Sequence, residues 1–133
     1  MIVLDSSAII AILAREPEHE TLQEIVASNT SQCSLSVLNY FETAMVILAR
    51  QGEPGVERLK RFLQVTETAL APFDAAQAEG ALRAFRLYGK GFHSRARLNL
   101  CDCAAYALAK SLDAPLLFKG NDFSGTDIVP AQN

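Results

Sequence analysis

The chain has 133 residues, half of them apolar and a fifth charged, which suits one compact domain with a single core and excludes a disordered segment. Its longest N-terminal apolar run, Ala8 to Ala14, is too short to span a bilayer, and "MIVLDSS" lacks the basic start of a signal peptide. A net charge of −3 argues, by itself, against a nucleic-acid partner.

In chain order, "MIVL" predicts a short strand buried on both faces, and "SSAIIAILAR" a helix that breaks at "EPEHE". A second helix runs to about Ser28, and "CSLS" predicts a short strand. "SVLNYFETAMVILA" opens a helix capped by Ser36 that stops at Gly52, and "EPGVERLKRFLQ" starts another with Pro54 near its beginning. "TETALAP" predicts a strand, "DAAQAEGALRAFRLYG" a helix capped by Asp74, and "RLNLCDCAAYALAKSLDA" a helix with Asn99 as its N-cap. "PLLF" predicts a strand, "KGNDFSGTD" a loop and "IVP" a last edge strand. Strands alternating with helices imply an α/β fold: one domain, residues 1–133, around a mostly parallel sheet covered on both faces. Three cysteines, Cys33, Cys101 and Cys103, give no disulfide framework and fit a reducing compartment, so the cytoplasm is the expected location. Zinc is set aside, because only His19 and His93 stand available to complete a site with "CDC".

Four acids occupy conspicuous positions. Asp5 follows the first strand, at the carboxyl edge where open α/β sheets bind ligands, although an aspartate there also caps the next helix. Glu42 lies past the first turn of its helix, with Leu38, Met45, Val46 and Ala49 as surface neighbours, so the spacing predicts a carboxylate drawn inward among apolar groups. A salt bridge or a tilt to solvent is its structural explanation. Asp102 repeats the pattern with Leu98, Ala105, Tyr106 and Ala109, and is also spaced from Asn99 as a capping box. Asp122 follows the later strand in a loop where Asn and Asp are ordinary turn formers, with Asp127 a weaker candidate beyond it. In a parallel sheet these acids converge, and converging carboxylates repel unless a cation lies between them. Oxygen-only ligands point to Mg²⁺ or Mn²⁺, and metal-holding carboxylate clusters are typical of phosphodiester hydrolysis.

Setting the four acids aside leaves eleven acidic against twelve basic residues, so the rest of the surface is nearly neutral. Its basic residues cluster: Arg83, Arg86, Lys90, Arg95 and Arg97 run without an acid between Glu79 and Asp102, interleaved with Tyr88, Phe92 and His93. The pattern suits phosphate contacts beside base stacking, and equally a solvated helix face and loop. Lys119, near the fourth acid, is either a phosphate contact or a surface lysine.

"MIVLDSSAIIAIL", "NYFE", "LNLCDCAAYALAK" and "LLFKGNDFSGTDI" resemble the successive motifs of PIN-domain ribonucleases, in particular the VapC-type toxins of bacterial toxin–antitoxin pairs. The resemblance covers nearly the whole chain. It implies a three-layer α/β/α fold with a sheet in the order 3-2-1-4-5 and a metal-dependent endoribonuclease acting on structured RNA, transfer or ribosomal. It assigns Asp5, Glu42, Asp102 and Asp122 to catalysis and metal binding, with Ser6 or Ser7 supporting the site. It also implies a homodimer held inactive by a VapB-type antitoxin. One position departs from the pattern: Cys101 stands where relatives often carry glycine. Two rival enzyme and signalling folds share parts of the pattern. A haloacid-dehalogenase-type phosphatase also starts with a strand ending in Asp, but needs a second Asp where Ser7 stands. A receiver domain needs a phosphoacceptor that "TALAPF" does not supply. A PIN-like module that binds RNA or a partner without cutting is the third alternative.

Overall fold

The computed structural model describes residues 1–132. Its elements are β1 (Ile2–Leu4), α1 (Ser6–Leu13), α2 (His19–Ala27), β2 (Cys33–Ser36), α3 (Val37–Val65), β3 (Ala69–Ala71), α4 (Ala75–Tyr88), α5 (Leu100–Leu112) and β4 (Leu116–Leu117). The strands form one parallel sheet in the order β3-β2-β1-β4. The expected fifth strand at "IVP" is reduced to a single bridge between Leu116 and Pro130. The Leu116 amide donates to the Val129 carbonyl at 2.9 Å and the Ala131 amide to the Leu116 carbonyl at 2.8 Å.

Successive side chains of a strand point to opposite faces, and β1 divides accordingly. Ile2 and Leu4 join Ile9, Ile12, Leu22, Val26, Leu59 and Leu63 in a core beneath α1, α2 and α3. Val3 joins Ala84, Leu98, Tyr106, Leu108 and Leu116 in a second core beneath α4 and α5. Burying each large side chain contributes roughly 1.5–3 kcal/mol, so both faces of the central strand are held. β3, by contrast, is a largely exposed edge.

The caps follow the sequence. Ser36 accepts from the Leu38 amide, Asp74 from the Gln77 amide, and Asn99 from the Asp102 amide. Within α3 the backbone leaves helical geometry at Gly52, with φ 72° and ψ −167°, and Pro54 sits in the turn that follows. β1, α3 and α5 thereby bring their ends together at the carboxyl edge of the sheet, where Asp5 closes β1 and Asn99 opens α5.

Candidate active site

Asp5 caps α1: the amide of Ser7 donates to its Oδ2 at 3.0 Å, and the Ser7 hydroxyl donates to the same oxygen. Ser7 Oγ in turn accepts from the backbone amide of Lys119 at 2.9 Å, so the loop after β4 is tied to the first acid. The capping and functional explanations of Asp5 therefore coexist, because one oxygen caps and the other is left over. Asp5 is 3% exposed, and its Oδ1 is fully buried without a hydrogen-bond donor. A buried carboxylate oxygen without a partner is costly, and its unmet need is for positive charge.

Asp102 is 7% exposed and forms the capping box with Asn99, whose amide donates to Asp102 Oδ2 at 3.1 Å. Burial, then the charge of Asp5, then those of Asp122 and Glu42, push the Asp102 carboxyl up to about 7. Burial chiefly, with the charge of Glu42 added, pushes Asp5 up to about 6 against the opposing hydrogen bonds from Ser7. Asp5, Asp122 and Glu42 thus all act on the charge of Asp102. Among the described residues, no three His, Cys, Asp or Glu side chains close into a ready-made metal cage. Mg²⁺ retains several waters and takes only one or two carboxylates directly, so an open carboxylate cluster with an unpaired oxygen fits such a cation. Cys101 belongs to the cluster too. Burial, then the charge of Glu42 and a hydrogen bond to it, push the thiol up to about 12, so it is held protonated.

Three expectations change. Glu42 is half-buried, whereas Asn39, Thr43 and Ile47 form the inward face of α3. Met45 and Ala49, expected inside with Glu42, lie exposed. Ile47 is fully buried and Tyr40 and Ala44 pack against the core, while Phe41, Met45 and Leu48 form a second, exposed apolar row on the outer side. Asp127 is engaged elsewhere: Tyr106 Oη donates to it at 2.6 Å and Lys110 Nζ at 2.9 Å. Lys119 is not a free cation, since its Nζ lies 2.7 Å from Glu16 and 3.1 Å from Glu18. Of the two hydroxyls, Ser7 supports Asp5 directly, and Ser6 bonds Asn39. Arg83, Arg86, Lys90, Arg95 and Arg97 are all exposed, and so is Asp122, its carbonyl accepting from the Arg97 amide at 2.9 Å. Asn39 escapes a sequence reading, because an asparagine near a helix start passes for a capping residue.

The PIN domain family matches residues 2–129 of the chain. The chain belongs to the PIN-domain family. It is 48% identical over 127 residues to "Ribonuclease VapC" of Mycolicibacterium smegmatis, covering 96% of this chain and 97% of that protein. Among solved structures, its fold is similar to VapC20 of Mycobacterium tuberculosis, a sarcin–ricin loop cleaving toxin, with a TM-score of 0.81 at 18% identity and full coverage of both chains. It is also similar to DNA-bound VapBC from Salmonella typhimurium, with a TM-score of 0.75 at 17% identity over 97% of this chain and 94% of that one. The match over nearly the whole PIN domain displaces the phosphatase and receiver alternatives. PIN-domain ribonucleases are in general divalent-metal dependent.

Proposed function

We propose that the whole chain, residues 1–133, acts as one nuclease domain: the endoribonuclease toxin of a toxin–antitoxin pair, using Mg²⁺ or Mn²⁺ at Asp5, Glu42, Asp102 and Asp122 to cut a structured RNA, transfer or ribosomal. The observation that carries this reading is the buried, donorless Asp5 Oδ1 close enough to the buried Asp102 for the two carboxylates to repel. A divalent cation held there would supply an acidified water and would neutralise charge developing at the phosphate. The protein's part is positioning. Ser7 fixes the orientation of Asp5, and the Asn99 amide fixes that of Asp102. Glu42 and Asp122 add negative charge from α3 and from the loop after β4. Arg95 and Arg97 adjoin the Asp122 loop, and with the exposed Arg83, Arg86 and Lys90 they can neutralise RNA phosphates. Likeness to VapBC assemblies favours a VapB-type antitoxin as partner, and an exposed apolar row on α3 favours a homodimer. The free thiols Cys33, Cys101 and Cys103 suit a cytoplasmic setting, and no described helix is long and apolar enough to cross a membrane.

The test is incubation of purified, antitoxin-free protein with total cellular RNA in Mg²⁺ or Mn²⁺, beside an EDTA control and Asp102→Asn. Discrete fragments that require both metal and Asp102 are the expected result, and their ends name the substrate. Cleavage that persists at full rate in Asp102→Asn would refute the assignment of the site.

A further inference from the structure

Asn39, in the first turn of α3, is completely buried and ties together the beginnings of three helices. Its Nδ2 donates to Ser6 Oγ at 2.9 Å and to the Cys101 carbonyl at 3.1 Å. Ser6 Oγ donates back to the Asn39 carbonyl at 3.2 Å. These acceptors fix the amide's orientation, because a flipped amide would set its oxygen against the Cys101 carbonyl. Each end of the tie adjoins a site acid: Ser6 follows Asp5, Cys101 precedes Asp102, and Glu42 lies three residues on from Asn39 along one side of α3. The Oδ1 of Asn39 is buried without a partner.

We propose that Asn39 is a positioning residue that sets the spacing of Asp5, Glu42 and Asp102, and through it the affinity of the site for a divalent cation. The inference rests on the reading of these acids as the cation site. The acids repel one another in the metal-free protein, so α1, α3 and α5 are under electrostatic pressure to separate where their ends meet. A tie at that point has to be a hydrogen-bond donor, because its targets are a hydroxyl oxygen and a carbonyl oxygen. It also has to be neutral, since a lysine or arginine would satisfy the acids in place of the cation, and a carboxylate would add to the repulsion. An amide meets both demands. A purely structural filler would be apolar, as that avoids burying an oxygen with no donor. Thr43, one turn along the same buried face, supplies the contrast: its hydroxyl donates only to the Asn39 carbonyl within α3.

Titration with Mn²⁺, following the paramagnetic resonance of the free ion, tests this on intact antitoxin-free protein held below each variant's thermal midpoint. Residues that orient metal ligands typically change affinity about 10- to 100-fold, so Asn39→Ala and Asn39→Leu are expected to weaken Mn²⁺ binding about tenfold or more. Ser6→Ala removes one leg of the tie and is expected to weaken binding about threefold, a readout that survives if the Asn39 variants do not fold. Thr43→Val is expected to lower the midpoint yet keep the wild-type affinity. The proposal is overturned if Ser6→Ala and any folded Asn39 variant bind as the wild type does, or if Thr43→Val weakens binding equally. Asp102→Asn, run in parallel, separates the two layers of the argument. Binding that needs Asp102 but ignores Asn39 refutes the positioning role alone. Wild-type protein with no Asp102-dependent binding refutes the site and the positioning role together.

Discussion

Asp5 and Asp102 hold their protons to about pH 6 and about pH 7 in the folded protein, whereas an aspartate in an unfolded chain ionises near 3.9. Between those values the folded state binds more protons than the unfolded one, so raising the pH favours unfolding. The stabilising contribution is complete below the unfolded value and is lost as pH climbs through the folded ones. Metal-free protein is therefore expected to melt at progressively lower temperature from pH 5 to pH 8. Asp102→Asn keeps an oxygen for the Asn99 amide and removes the charge, so at pH 8 it should be more stable than metal-free wild type by about 1–3 kcal/mol. Added Mn²⁺ should raise the melting temperature of the wild type much more than that of the variant. Thermal melts across that pH range check both statements, and a flat wild-type profile would contradict them. The same residues mark what a sequence can reveal. A carboxylate following an apolar strand or embedded in an apolar helix is conspicuous, which is why Asp5, Glu42 and Asp102 stand out. The ion pairs and hydrogen bonds of Lys119 and Asp127 are not legible, because their partners, Glu16 and Glu18 for the first and Tyr106 and Lys110 for the second, lie far away along the chain.

Helix ends are legible because their chemistry is local: Ser36, Asp74 and Asn99 each accept the amide that their positions predict. Gly52 belongs to the same class. Its φ of 72° with ψ of −167° lies in a region essentially reserved for glycine, and a Cβ there would meet nothing closer than 3.7 Å. Any penalty for a side chain is therefore backbone strain and not crowding. Gly52→Ala is expected to destabilise the fold by about 1–3 kcal/mol in urea unfolding. Its Mn²⁺ affinity should be unchanged, since the bend lies ten residues past Glu42. A neutral effect on stability would mean that α3 straightens through position 52 at no cost. Which face of α3 turns inward is less legible. Leu38, Met45, Val46 and Ala49 outline a more convincing apolar side in sequence than Asn39, Thr43 and Ile47, two of which are polar, yet the second row is the buried one. Periodicity locates a stripe; it does not say whether the stripe meets this chain's own core.

At the scale of the molecule, sheet order and the reduction of the fifth strand to one bridge among the described residues depend on contacts that no local pattern encodes, so the alternation of elements yields the α/β class and the resemblance supplies the order. The outward stripe of α3 belongs to this scale as well. Val37, Phe41, Met45 and Leu48 are 37%, 60%, 50% and 46% exposed, spaced so that they share one side of the helix. A contiguous apolar row on the surface of a folded protein is characteristically an interaction site. If a second copy covers it, burying a charge at its centre must split the pair, because an unpaired carboxylate in an apolar interface is strongly disfavoured. Met45→Glu is expected to sediment as a monomer at concentrations where the wild type sediments as a dimer, with a melting temperature little changed, since Met45 contributes nothing to the core. A wild-type protein that sediments as a monomer throughout, or a variant that remains dimeric, would assign the row to another partner.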